Sequence, residues 1–162
     1  MNRRNRLSRM GSQEGSFRCL HCHYQVSSSP FLAGVQNRNH CPYCLWSRHV
    51  DFQKAGDRLA SCKAEMQPIG LTMKATPKKY GPAKAGELML IHRCQGCGKL
   101  SINRIAADDT PARLLEVFHL SFELAPEVKD ELANSGVVIL LPEDEQIVSE
   151  QLFGKGSRGK QE

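Results

Sequence analysis

Three Cys-x-x-Cys pairs, Cys19/Cys22, Cys41/Cys44 and Cys94/Cys97, and one lone cysteine, Cys62, are the residues best equipped for chemistry in this 162-residue chain. A pair at this spacing sets two thiolates on one tight turn. Two such turns complete a tetrahedron of sulfurs at about 2.3 Å from a zinc ion. Eighteen residues separate the first two pairs, a zinc-ribbon spacing. They predict a closed site of Cys19, Cys22, Cys41 and Cys44. Iron–sulfur ligation shares the pairwise spacing. A redox dithiol is disfavoured, because no βαβ pattern surrounds either pair. The third pair has only Cys62 left to join it, so a second site needs a histidine or stays open. His49, thirteen residues before Cys62, is the preferred donor. His92, two residues before Cys94, would close the tetrahedron only under strain. His21 and His23 are expected to face solvent, and His119 to sit on a helix. The expected cofactor is therefore two zinc ions, the second on Cys62, Cys94, Cys97 and His49.

The elements that must hold these residues are short. Residues 17–26 read as a strand interrupted by the first turn, and residues 27–39 as a loop. "MQPIGLTMKA" and "ELMLIHRC" are β-rich runs around a Pro/Gly/Lys loop and predict a long-looped antiparallel hairpin. "KLSINRIA" is the next strand. After Asp109 the period becomes helical: Thr110 is a good N-cap and Pro111 suits the first turn. Further helices follow Pro126 and Pro142, with "VVILL" between them as a short buried strand. The fold class expected is α+β: a small zinc-ribbon β domain with two Cys-rich metal sites, then a short helical C-terminal annex. The segments read as a disordered basic arm (1–16), the ribbon domain (17–110), an acidic mostly helical annex (111–153) and a flexible tail (154–162).

Apolar residues make up 40% and aromatics 6% of the chain, a thin core that favours a metal staple. No apolar run reaches the roughly 18 residues of a membrane span, and the N-terminus has no signal-peptide pattern. The expectation is a cytoplasmic protein with reduced thiols and no membrane partner. The net charge of +5 is unevenly spread. Residues 17–110 carry thirteen Lys/Arg against six Asp/Glu, whereas residues 111–153 carry two against nine. A basic cysteine-bearing module beside an acidic annex suggests a polyanionic partner.

The ordered motifs resemble a known family. Arg38-Asn39-His40-Cys41-Pro42 is followed by Cys44, Ser47, His49-Val50-Asp51, Gly56-Asp57-Arg58, Cys62, Met66 and Pro68-Ile69. Then come His92-Arg93-Cys94, Cys97-Gly98 and Asn103-Arg104-Ile105-Ala106-Ala107-Asp108-Asp109. Over residues 17–110 the chain is similar to the RNHCP domain, a zinc-ribbon-like family whose biochemical role is unassigned. The resemblance implies metal sites rather than a reaction. Ala55 stands where the family often has proline, and Lys63-Ala64-Glu65 where glycine is frequent.

Three functions fit these residues. The first is binding of nucleic acid, RNA above all and in or near the ribosome. Arg38, Arg48, Lys78, Lys79, Lys84, Arg93 and Arg104 would supply phosphate contacts and Tyr80 a ring for stacking. The second is a protein-interaction scaffold, with the acidic annex as the docking face. The third is a metal-dependent hydrolase or nuclease using His40 or His92 with Asp51 or Asp109. An occupied Cys62 position would argue against it, because catalytic zinc keeps a position for water.

Overall fold

The computed structural model describes residues 15–54, 56–75 and 86–154. The expected arm up to residue 14, the loop bearing Lys78, Lys79, Tyr80 and Lys84, and the tail from residue 155 lie outside the described residues. The strands form two antiparallel sheets. β1 (Ser16–Arg18) and β2 (Gln25–Ser27) make a small hairpin. β3 (Ser47–Arg48), β4 (Glu65–Ala75), β5 (Gly86–Cys94) and β6 (Leu100–Arg104) form a four-stranded sheet in that order. The predicted long hairpin is β4–β5, in a register that pairs Met66 with Cys94 and Ala75 with Gly86.

β4 and β5 are buried along continuous runs, Ile69–Thr72 and Leu88–His92, rather than alternately. Both faces of the sheet are covered, which removes the usual inside–outside alternation. Leu71, Leu88 and Leu90 cluster with Leu114, Val117 and Phe118 of α2 (Pro111–Leu120) and Val148 of α4 (Glu145–Phe153). Ile69 and Ile91 cluster with Leu132 of α3 (Pro126–Asn134). The acidic annex thus supplies half of the main core. Truncating a core aromatic such as Phe118 costs about 3–5 kcal/mol. Pro68 sits at a register shift between Pro68 and Gly70, where a strand tolerates a residue without an N–H. A Cβ on Gly70 would stand 2.8 Å from Ile139 Cδ1, so glycine here lets the annex close on β4.

Two local readings are corrected. Residues 30–33, expected as loop, form a one-turn helix, α1 (Pro30–Ala33), which begins on proline and ends at left-handed Gly34. "VVILL", expected as a strand, contributes only a single bridge, Ile139 to Thr72. Thr72 Oγ1 donates to the Val138 carbonyl (2.6 Å) and Leu140 N to the Leu71 carbonyl (2.9 Å). Pro142 and a 3-10 turn follow at once and leave no length for a ladder.

Candidate metal centres

Four turns of one construction carry the candidate ligands. In the first, Cys19 N donates to the Tyr24 carbonyl and His23 N to the Cys19 carbonyl, both at 2.9 Å. In the second, Cys41 N donates to the Trp46 carbonyl (2.9 Å) and Leu45 N to the Cys41 carbonyl (2.8 Å). In the third, Cys94 N donates to the Lys99 carbonyl (2.8 Å) and Gly98 N to the Cys94 carbonyl (3.0 Å). The residue after the second cysteine is left-handed each time: His23, Leu45 and Gly98 have φ of 67°, 65° and 76°.

The fourth turn is hidden in the sequence. His49 N donates to the Ala64 carbonyl (2.9 Å), Lys63 N to the His49 carbonyl (3.0 Å), and Lys63 has φ of 51°. His49 therefore holds the place of a first ligand and Cys62 that of a second, with residues 50–61 inserted between them. β3 enters this interrupted turn and β4 leaves it. β5 and β6 flank the third turn in the same way. A left-handed non-glycine residue costs roughly 1–2 kcal/mol, so three of these turns carry strain that a bound metal would offset.

The turns meet in pairs. Cys19, Cys22, Cys41 and Cys44 form one group, and His49, Cys62, Cys94 and Cys97 a second, each with its ligand atoms within 4.8 Å of one another. Sulfurs bound to one tetrahedral zinc stand about 3.8 Å apart. Cys19 and Cys44 sulfurs lie 3.5 Å apart, Cys22 and Cys41 3.6 Å, and Cys62 and Cys94 3.7 Å. His49 Nδ1 lies 3.3 Å from Cys97 Sγ. Both groups could hold zinc, and both have four donors. Among the described residues no cysteine is in a disulfide.

Electrostatics within the groups call for a cation. The Cys44 thiol draws Cys41 down to about 5, and the same contact pushes Cys44 up. Burial works against ionisation of Cys94, but the amides of Cys97 and Gly96 bring it down to about 6. One thiolate per group ionises readily while a crowded neighbour resists. A divalent ion removes that conflict and lets all ionise. Gly96 was not singled out from the sequence, yet a Cβ there would lie 3.1 Å from Cys62 Sγ and 2.8 Å from Ala64 Cβ. The first group is mostly buried, whereas Cys62 and Cys97 of the second are exposed.

The remaining polar residues of residues 37–51 join the two halves. Arg38 forms a fork to Asp108 (2.7 and 2.8 Å) and reaches Asp109 at 3.2 Å. His40 Nε2 donates to Asp109 Oδ2 (2.6 Å), which also accepts from Ala106 N (2.8 Å). The Pro42 carbonyl accepts from Thr110 N and Oγ1, so Thr110 pins α2 to the second turn instead of capping the helix. Asn39 donates to Asp51, which also accepts from the amides of Gly56 and Arg58. Burial opposes charge on Asp51, but these three donors hold its carboxyl below the usual range. Asp57 organises the insert by accepting from the amides of Phe52, Gln53, Lys54 and Leu59.

This wiring bears on the hydrolase reading. His92, expected as a weaker ligand candidate, is fully buried: Nε2 donates to the Leu45 carbonyl (2.6 Å) and Nδ1 accepts from Asn103 (2.9 Å). Burial, with His40 nearby, pushes it down to about 3. Asp51 and Asp109 accept the contacts above, and each candidate metal group already has four protein donors without them.

The sequence profile of the RNHCP domain matches residues 14–115, well over half of the chain. The chain belongs to the RNHCP domain family. No curated protein and no solved structure matches it. The RNHCP signature is now legible residue by residue. Arg38 and His40 clasp Asp108 and Asp109, Asn39 holds the insert, Cys41 belongs to a group that could hold a metal, and Pro42 receives α2.

The expected phosphate contacts divide into three sets. Arg38 is corrected: its side chain is wholly buried in the clasp and meets no solvent. Arg93 pairs with Glu131 of the annex and Arg104 with Glu87, so both are partly neutralised. Arg48 is exposed and makes no ion pair among the described residues, although Glu65 is its cross-strand neighbour, and its Nε donates to the Lys63 carbonyl (3.1 Å). Lys78, Lys79, Tyr80 and Lys84 lie outside the described residues. Arg18, not singled out from the sequence, matches Arg48: it is exposed, and its Nε donates to the His23 carbonyl (3.2 Å). Its position just before a ligand cysteine was the available signal. Tyr24 and Tyr43, one on each turn of the first site, are mostly exposed with ring centroids 5.1 Å apart.

Proposed function

We propose that this RNHCP protein holds two structural zinc ions and binds RNA through the RNA backbone. The observation that carries the reading is the contrast between the two halves of its charge. Glu131 of the annex and the Asp108/Asp109 pair compensate Arg93 and Arg38, whereas Arg18 and Arg48, beside the metal turns, make no ion pair among the described residues. Uncompensated arginines with exposed Tyr24 and Tyr43 supply both phosphate contacts and stacking surfaces, the latter worth about 1–3 kcal/mol per base. Zinc is favoured over iron–sulfur chemistry because one site mixes histidine with three thiolates in a tetrahedral set. Among the described residues no helix is long and apolar enough to cross a membrane. A cytoplasmic location is part of this reading, because zinc-thiolate sites suit a reducing compartment.

The test is a titration of RNA at about 50 and 200 mM salt, with an expected slope of about −0.7 to −0.9 per phosphate contact. Charge reversal at Lys78 and Lys79 weakens unrelated sequences by similar factors. No binding to RNA at the lower salt refutes the reading. It would favour the scaffold alternative, for which a shallow apolar depression beside α2 and α4, bordered by exposed Leu120 and Phe153, is the relevant feature.

A further inference from the structure

A cleft of about 340 Å³ lies where the two metal modules and the insert meet. Its walls include Phe17, Arg18, His21, Trp46, Arg48 and Arg58. The contributors come from three pieces of the ribbon framework. Arg18 and His21 come from the first turn, Trp46 and Arg48 from the exit of the second, and Arg58 from the insert that splits the fourth. The insert closes one side of the cleft, and Asn39 and Asp51 hold Arg58 there. Arg18 and Arg48 are positioned alike. Each spends Nε on a backbone carbonyl, which fixes the guanidinium plane and leaves both terminal nitrogens unpaired among the described residues. Two guanidiniums without an ion pair lining one cleft supply the donors that a phosphate takes, and Glu65 stands beside them with Oε1 3.6 Å from His21 Nδ1. Beside them His21 lies flat on Trp46, with ring centroids 3.9 Å apart and planes within 4°. That parallel pair is a ready stacking edge, and the volume suits a small-molecule site, which spans about 300–1,000 Å³.

We propose that this cleft receives one unpaired nucleotide, its phosphate on Arg18 and Arg48 and its base against the His21–Trp46 pair. This rests on the RNA-binding reading and adds a requirement to it: the bound strand must offer an unpaired base, which a regular duplex does not. The arrangement fits recognition of loops and ends, where bases can be splayed out and stacked.

Trp46 is the one tryptophan of the chain, so its emission reports on the cleft directly. The experiment titrates the zinc-loaded full chain with a short unstructured RNA, with the same strand annealed to its complement, and with a nucleoside monophosphate. The expected result is quenching of Trp46 by the single strand and not by the duplex. Arg18→Ala and Arg48→Ala should each weaken the single strand about tenfold or more. Both arginines are exposed, and unchanged zinc content checks that the variants fold. Salt-sensitive RNA binding with unmoved Trp46 emission, and Arg18→Ala and Arg48→Ala equal to the parent, overturns the cleft and leaves backbone binding standing. Quenching by the monophosphate without binding of either RNA supports the cleft and refutes the RNA reading.

Discussion

Asp109→Ala is the sharpest test of the clasp between the signature loop and the start of α2. The Asp109 side chain is wholly buried and accepts from Arg38, His40 and the Ala106 amide. Removal strands the His40 and Ala106 donors in the interior, at about 1–3 kcal/mol each. Arg38 keeps Asp108 and so loses only part of its compensation. The total falls at about 3–5 kcal/mol, the range for breaking a buried ion pair from one side. For a chain of this size each kcal/mol lowers the melting temperature by about 2–4 °C, so the expected drop is roughly 6–20 °C. Asp108→Ala should cost much less, because Asp108 is 39% exposed and its loss leaves Arg38 a partner. The assay is thermal denaturation of zinc-loaded protein at fixed metal concentration, with metal content measured on each variant. Asp109→Ala melting within about 2 °C of the parent, or Asp108→Ala melting below Asp109→Ala, would refute a structural role for the clasp.

Chelator challenge should remove metal in two phases, the faster from the site with exposed Cys62 and Cys97. Cys62→Ser should abolish the fast phase alone, and one common rate for both ions would contradict this. His92 should stay neutral across pH 5–8 in a side-chain NMR titration, since burial pushes it down to about 3. Its unfolded form binds a proton that the native form refuses, so this contribution to stability is lost as pH falls from about 6.5 toward 3. A His92 midpoint near 6.5 would show the burial to be wrong. His49 Nε2 is a buried polar atom with no hydrogen-bond partner among the described residues, beside a cavity of about 180 Å³ lined by Ser47, Asp51, Ser101 and Asn103. Metal-bound histidines normally donate their second nitrogen, so a crystal structure should place a bridging water there.

Much of the framework could be read before any coordinates. The cysteine spacing grouped the ligands, because a two-residue turn leaves little freedom in where its thiolates point. The β4–β5 hairpin and the three annex helices followed from period and proline placement. The parts that escaped depend on long-range partners. Arg38 carries the same side chain as a surface phosphate contact, and only an acid pair about 70 residues away decides that it is buried. The turn of His49 and Cys62 was masked by its insert, since its hydrogen bonds, not its spacing, identify it. "VVILL" has the composition of a strand, yet Pro142 and the close approach at Gly70 leave space for one bridge.

Two closed metal sites are the centre of this account, and metal stoichiometry with an absorption spectrum on purified protein tests them most directly. The account predicts a colourless protein with two zinc ions per chain, reduced to about one by Cys41→Ser together with loss of the first site's fold. Visible charge-transfer bands with bound iron, or full zinc and an unchanged melting curve in Cys41→Ser, would contradict it.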